Sequence, residues 1–372
     1  MEIRWALPQD RPALDELWYL CFGDDQSFRS WFFENRFLTD NCLAALEEGR
    51  IIGAVYGLPL HLRLRGRAVP CSIIGGVSTH PDRRGRGVMR ALFTRFMADL
   101  HSRGVPCGFL HPVVQELYFP FGFYTSCDRG FLTLDPGPAP VPAARPLRSL
   151  AAGQGLDALY RCYCGYAAGY SGPVSRSWPD FVFKYGDYLA GGGRCAVLPG
   201  QGGAPEGYCI YFTDEHGLYG EECAALTPGG WQALAEGMAA LAAGRGLTLK
   251  LPPDHLPALP GARTEVKPWG AMGAACLPAL LPAVTGGPAG FALRVTDPVV
   301  AGNNGVFGLD GLPACAAPQL TLEAGRLVQW LTGYRSLAAL AAEGLAHVHD
   351  PAAAARLDRL YPTLPCVCSD EY

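Results

Sequence analysis

The stretch "HPDRRGRGVMRAL", His80–Leu92, crowds three arginines and two glycines into the five positions 83–87. Upstream, "AVPCSIIGGVSTH" (Ala68–His80) continues an apolar, strand-like pattern. Downstream, Val88, Leu92, Phe93, Phe96 and Leu100 recur at mostly three- and four-residue steps, which predicts a helix with one apolar face. The stretch therefore joins a strand to a helix N-terminus, where unpaired backbone N–H groups and the positive end of the helix dipole favour an anion. Gly85 and Gly87 let the backbone approach that anion closely, and Arg84 and Arg86 add charge-assisted hydrogen bonds to phosphate oxygens. Three arginines at the positive end of a helix are unfavourable without such a guest, so a pyrophosphate is expected ahead of the plain alternative, a solvated basic turn. Dinucleotide and nucleoside-triphosphate readings fail locally, because "RRGRGVM" is neither G-x-G-x-x-G nor G-x-x-x-x-G-K-[ST].

Working outward, the chain is 372 residues long, more than one hydrophobic core usually organises. Hydrophobic residues make up 49% and charged residues 17%, which argues for compact structure rather than disorder. A formal net charge of −4 leaves no basic footprint for nucleic acid and suits a cationic ligand better. "MEIRWALPQDRPAL" does not read as a signal peptide. No apolar run reaches the roughly 18 residues of a membrane span. A cytoplasmic protein without membrane or nucleic-acid partners is expected, its fourteen cysteines reduced. The pairs Cys162/Cys164 and Cys366/Cys368 lack companions at ligand spacing, so no metal site is expected.

Two breaks divide the chain. "DPGPAPVPAARP" (Asp135–Pro146) reads as a stiff proline-rich linker, and "LPPDHLPALPGARTEVKPWG" (Leu251–Gly270) as a second stretch poor in regular structure. Before the arginine loop, "CLAALEEGRIIGAVYGLPLHLRLRG" gives two apolar runs broken at residues 47–50 and an alternation at Leu60, Leu62 and Leu64, an antiparallel meander. In the middle segment "YCIYFTDEHGLYGEECAAL" predicts a hairpin followed by a helix over Trp231–Leu241. "PQLTLEAGRLVQWLTGYRSLAALAAEG" predicts a strand, a polar turn and an alanine-rich helix in the last segment.

Arg84–Val88 match the [QR]-x-x-G-x-[GA] coenzyme A loop of the GNAT N-acetyltransferases only in part, since Met89 replaces the final small residue. Further on, "ELYFPFGFY" places Tyr118 three residues before Phe121-Gly122-Phe123 and resembles the Y-x-x-F-G-[FY] signature of the same superfamily. Over its full length the chain resembles the enhanced-intracellular-survival (Eis-like) acetyltransferases, whose loop tolerates a bulky residue at the position of Met89. The resemblance implies an α+β fold with tandem GNAT domains, each with a central mixed β-sheet, followed by a C-terminal sterol-carrier-protein-2-like α+β domain. The expected boundaries are 1–138 for the catalytic domain, 147–262 for a degenerate second one without the arginine loop, and 268–372 for the last.

The implied activity is acetyl-CoA-dependent N-acetylation of primary amines on aminoglycoside-like or polycationic small molecules, by direct transfer. A protein-lysine acetyltransferase is the alternative, and a lipid- or sterol-carrier-like binding protein the alternative of another class. The resemblance also implies a homo-oligomer, hexamer or trimer. The strand "SIIGGVSTH" would splay, with Gly75 and Gly76 favouring a bulge and the backbone N–H groups of Val77, Ser78 and Thr79 holding the pantetheine arm and the developing oxyanion. Tyr118 would protonate the departing thiolate. The carboxylate of Tyr372, in the terminal "SDEY", would accept the proton of the amine. "CFGDDQSFRSWFF" looks like a substrate-side helix pair that puts Asp24 and Trp31 at the amine pocket; Glu371 would add acidity, and His111 matches a site position more loosely.

Overall fold

The computed structural model describes residues 1–137, 143–151, 153–368 and 370. It resolves into two compact units, one made of residues 1–127, 171–174 and 269–372, the other of 128–170 and 175–268.

The first unit opens with β1 (Glu2–Trp5), the helix pair α1 (Arg11–Phe22) and α2 (Gln26–Asn35), then β2 (Cys42–Glu47), β3 (Arg50–Leu64), β4 (Arg67–Thr79), α3 (Val88–Ser102), β5 (Cys107–Leu110) and the start of β6 (Tyr124–Leu134). Gly23 takes a left-handed φ of 74° to end α1, and the Asp25 carboxylate accepts the Phe28 N–H to start α2, so the turn between the helices is set by two residues. Strand order runs β1-β2-β3-β4-β5, and residues 271–274 later add an antiparallel neighbour to β5. β2 shows why the sheet is buried on both faces. Cys42, Ala44 and Leu46 join a cluster with Trp18, Phe32, Phe33 and Tyr56 beneath the helix pair, whereas Leu43 and Ala45 join Leu92, Phe93 and Phe96 of α3 on the opposite face. The helix face read from the sequence is the buried one: Val88, Leu92, Phe93, Phe96 and Leu100 are all inside. Leu60, Leu62 and Leu64 alternate as expected, buried between exposed His61 and half-exposed Arg63.

After β6 the second unit contains β7 (Arg148–Leu150), α4 (Leu156–Ala168), α5 (Trp178–Ala190), β8 (Arg194–Pro199), β9 (Pro205–Thr213), β10 (Gly217–Ala225), α6 (Pro228–Ala242), β11 (Gly246–Leu251) and the first half of β12 (Arg263–Ala274). The predicted hairpin and helix are β9, β10 and α6. Leu251–Gly270, expected to lack regular structure, instead carries most of β12. Arg263–Lys267 are all exposed, so this part of the strand has no buried face to leave an apolar alternation. Antiparallel β9–β10, a bulge at Glu221, helix α6 and β11 parallel to β10 repeat the order of β3, β4, α3 and β5.

The rest of the first unit is α7 (Leu277–Thr285), β13 (Leu293–Thr296), β14 (Gly305–Phe307), β15 (Leu320–Glu323), α8 (Ala324–Thr332), α9 (Leu337–Ala342), β16 (Ala346–Val348) and α10 (Pro351–Leu360), with sheet order β14-β13-β15-β16. The strand, turn and alanine-rich helix expected here contain one further helix, α8, starting directly after β15. Residues 171–174 form a strap: Gly172 N–H donates to Arg63 O at 2.7 Å, and Val367 N–H to Ser171 O at 3.0 Å. The C-terminal segment is thereby laid beside the strap, with Val367, Cys368 and Asp370 buried. All fourteen cysteines are free thiols.

Candidate active site

β4 and β5 pair in parallel only at Cys71↔Cys107, Ser72↔Gly108 and Ile73↔Phe109, although β4 runs on to Thr79. Beyond Ile73 the strands part. On its other side β4 carries one extra residue against β3, since Tyr56 pairs Gly75 while Ala54 pairs Ser78. The bulge falls at Gly76 and Val77, as the paired glycines predict. Gly76 has φ 54°, and a Cβ there would meet the rings of Trp18 and Tyr56 at 2.6 Å, so only glycine fits against the aromatic floor under the helix pair.

The splay opens into a cleft of about 390 Å³ lined by Cys21, Phe22, Val77, Ser78, Thr79, Arg83, Arg84, Gly85, Gly87, Val88, Met89 and Leu117. Most of the predicted loop and strand residues thus share one cavity, and Arg86 lies between two of its lining positions. Gly85 and Gly87 have φ of 75° and 78°, and a Cβ added at either would meet nothing within 4 Å, so their backbone faces open space. Gly87 caps α3 without any side-chain hydrogen bond, which leaves the first-turn amides available to an external acceptor. The arginines are not equivalent. Arg83 is engaged by the Glu47 carboxylate, while among the described residues Arg84 donates only its Nε, to Thr79 O at 3.3 Å, and Arg86 is exposed. These residues fit a pyrophosphate: open backbone donors, a helix dipole and two outward cations.

Tyr118 lies in the loop between β5 and β6, edge-on to Phe93 at 5.6 Å, next to the cleft residue Leu117. Its hydroxyl has no hydrogen-bond partner among the described residues, and burial pushes its pKa up to about 12. His111 follows β5 and contacts the rings of Phe109 and Trp269. The Asp24 carboxylate accepts the Trp18 indole N–H at 2.8 Å. Trp31 is half-buried on α2, so both residues sit on the helix pair rather than among the residues lining the cleft. Glu371 and Tyr372 lie outside the described residues. The cleft residues missed from the sequence are Cys21, Phe22, Arg83, Met89 and Leu117; the sign of Phe22 was a large apolar residue closing a helix, where it stands 44% exposed.

The second unit closes the corresponding positions with its own groups. The α6 N-terminus is capped by Thr227, whose hydroxyl donates to Glu206 at 2.7 Å, and no glycine-arginine turn precedes it. The bulged Glu221 is paired with Lys250 of β11 at 2.7 Å. Beside it, Glu222 is fully buried against Arg176 and accepts the hydroxyls of Tyr188 and Tyr208; this guanidinium holds the carboxyl below its usual range despite burial.

Residues 2–126 match the Acetyltransferase (GNAT) domain, and residues 277–369 the Sterol carrier protein domain. No curated protein matches the chain. Among solved structures, the fold is similar to a conserved protein of unknown function from Enterococcus faecalis described as a probable N-acyltransferase, with a TM-score of 0.81 at 19% identity over 100% of this chain and 99% of that one. It is also similar to a GCN5-related N-acetyltransferase from Anabaena variabilis, with a TM-score of 0.81 at 16% identity over 100% of both chains. Eis1 from Mycobacterium abscessus has a TM-score of 0.76 at 17% identity, again over 100% of both. The chain thus carries a GNAT N-acetyltransferase domain and is an enzyme of that class. Its last domain is of the sterol carrier protein type. Among the described residues no helix is long and apolar enough to cross a membrane.

Proposed function

We propose that the protein is an Eis-like N-acetyltransferase that transfers acetyl from acetyl-CoA directly to a primary amine of an aminoglycoside-like or other polycationic small molecule. The observation that carries the reading is the splay of β4 from β5 into a cleft bounded by the uncapped α3 terminus and Arg84. The bound co-substrate supplies an activated acetyl thioester. Arg84, Arg86 and the amides of Gly85, Gly87 and Val88 hold its pyrophosphate, and the amides of Val77, Ser78 and Thr79 hold its pantetheine arm and the negative charge that develops on the carbonyl oxygen.

A neutral amine nitrogen forms the new C–N bond as the C–S bond breaks. The amine proton passes to the carboxylate of Tyr372, and the Tyr118 Oη proton goes to the leaving sulfur. With its pKa pushed up to about 12, Tyr118 stays protonated throughout the working range but is a weak acid towards a thiolate of reference pKa about 8.5. Transfer to the thiolate is therefore uphill and proceeds from a hydrogen bond that Tyr118 donates to the departing sulfur, with water restoring the phenol proton. Support for the role of the tail comes from its course: Cys366 and Cys368 lie in one buried cluster with Cys71 and Cys107, one of the pairs where β4 and β5 still meet, and Asp370 is fully buried. Asp24 and Glu371 make the amine side acidic, which attracts polycations.

Thiol release from acetyl-CoA, measured against aminoglycosides, polyamines and lysine peptides, tests the reading. Turnover on the first two classes above that on peptides is expected; peptides as the only substrates would make the protein a lysine acetyltransferase, and no thiol release with any amine would return it to the carrier reading.

A further inference from the structure

The course of the C-terminal tail is governed by a residue about 300 positions earlier. Arg65 occupies the tight turn between β3 and β4 with φ 48°. Its guanidinium donates to four main-chain carbonyls: Nε to Leu331 at 2.8 Å, Nη2 to Trp330 at 2.8 Å and to Tyr361 at 3.0 Å, and Nη1 to Pro362 at 2.7 Å. The first pair lies in the last turn of α8 and the second just past α10, so one cation meets the negative ends of two helices. The Arg65 N–H donates to Ser171 Oγ at 3.3 Å, and that hydroxyl donates to Thr332 O at 2.6 Å.

Ser171 in turn holds the tail by main chain, its N–H donating to Pro365 O at 3.0 Å and its carbonyl accepting the Val367 N–H at 3.0 Å. Gly172, at φ 114°, lies so close to the tail that a Cβ would stand 2.5 Å from Val367 O. The segment leaving α10 is thus gripped first at 361–362 by Arg65 and then at 365–367 by the strap. Beyond it, Cys368 and Asp370 are buried.

We propose that Arg65 and Ser171 are positioning residues for acetyl transfer, forming with Gly172 a clamp that fixes residues 361–367, the segment leading to the proposed base. The inference rests on the reading that the Tyr372 carboxylate takes the amine proton. A tail released from the clamp regains the conformational freedom of several residues, and loss of register of about 1 Å at a catalytic group is enough to lower a rate on the order of 10²-fold. The cofactor loop, which leads into α3, is not part of the clamp.

The test compares Arg65→Met, Arg65→Lys and Ser171→Ala in the full chain by carboxypeptidase trimming of the tail and by steady-state kinetics with acetyl-CoA and a polyamine. Arg65→Met is expected to be trimmed about tenfold faster or more, the effect of about 1.4 kcal/mol of easier opening. Its kcat should fall on the order of 10²-fold with KM for acetyl-CoA unchanged. Arg65→Lys, which keeps charge and donors, should fall between, and Ser171→Ala carries the test if Arg65→Met does not fold. Combined with deletion of residues 371–372, Arg65→Met should lower kcat no further, because the group it positions is gone. Trimming at the parental rate in both Arg65→Met and Ser171→Ala overturns the clamp, and losses that multiply with the deletion show that Arg65 acts elsewhere. A deletion that itself leaves kcat at the parental rate removes the base reading and with it any role for the clamp in transfer, whatever the trimming rate.

Discussion

Replacing Arg84 and Arg86 together by alanine, with Arg83→Ala as its control, separates a phosphate site from a merely basic turn. In the folded protein Arg83 is held by Glu47, whereas Arg84 has one weak internal bond and Arg86 is exposed. A hydrogen bond to a charged group contributes about 1.5–3 kcal/mol. Both side chains are exposed to screening solvent, so the lower figure applies to each, about 3 kcal/mol for the pair. That is on the order of a 150-fold rise in Kd. Binding should weaken without vanishing, since the amides of Gly85, Gly87 and Val88 survive both substitutions. Calorimetric titration with coenzyme A at about 0.1 M salt reads the effect, and repeating it at higher salt should weaken the parent more than the double variant. Arg83→Ala should bind within about twofold of the parent, because its partner is Glu47 rather than the ligand. A folded double variant with parental Kd, or an Arg83→Ala variant as impaired as the pair, refutes the reasoning.

Gly76→Ala places a Cβ against two buried rings at positive φ and should destabilise the protein by about 2–5 kcal/mol, summing backbone strain and overpacking; denaturant titration checks this, and parental stability would mean the bulge can relax. Tyr118→Phe keeps the ring contact with Phe93 and should lower turnover about 10²–10⁴-fold with coenzyme A affinity retained, while near-normal turnover would leave Tyr118 a packing residue. Appending a few residues after Tyr372 replaces its carboxylate by an amide and should abolish most turnover with acetyl-CoA binding intact; parental rates would remove that carboxylate from the chemistry. Burial pushes Cys162, Cys195, Tyr118, Tyr124 and Tyr185 up to about 12, above unfolded values of roughly 8.5–10. The fold therefore favours their protonated forms. Stability should be unaffected by them below about pH 8.5 and fall above it by up to about 1.4 kcal/mol per pH unit for each group until its folded pKa is reached. Chemical denaturation at pH 8 and 10.5 reads this, and equal stabilities would contradict it.

The elements that frame the cleft were legible in the sequence because each obeys a local rule. α3 shows its buried face by spacing, β3 by alternation, and the bulge by two adjacent glycines, of which Gly76 takes a left-handed φ against the rings of Trp18 and Tyr56. What escaped was set by tertiary surroundings. β12 starts on an exposed, charged run with no buried face, and α8 follows β15 without a turn residue to announce it. The division of labour among the arginines depends on Glu47, whose proximity to Arg83 no spacing rule reveals. Arg65 reads in sequence as an ordinary residue of a two-residue turn before Gly66, and its four carbonyl partners lie some 265–297 positions away.

The antiparallel neighbour of β5 comes from residues 271–274, with Leu110 opposite Ala271 and Cys107 opposite Ala274. During translation that partner is still missing when β5 leaves the ribosome, and at about 5–20 residues per second it arrives roughly 10–30 s later. For that interval the nascent acetyltransferase domain presents "CGFL" as a bare edge, apolar and without the lysines or prolines that blunt such edges. Residues 128–268 are mostly contiguous and can condense during the same interval. A ribosome stalled before residue 271 would hold the edge open indefinitely. Slow synthesis through the intervening segment should therefore favour aggregation, and supplying holdase chaperones in a cell-free translation should raise the soluble yield most when that segment is encoded with rare codons.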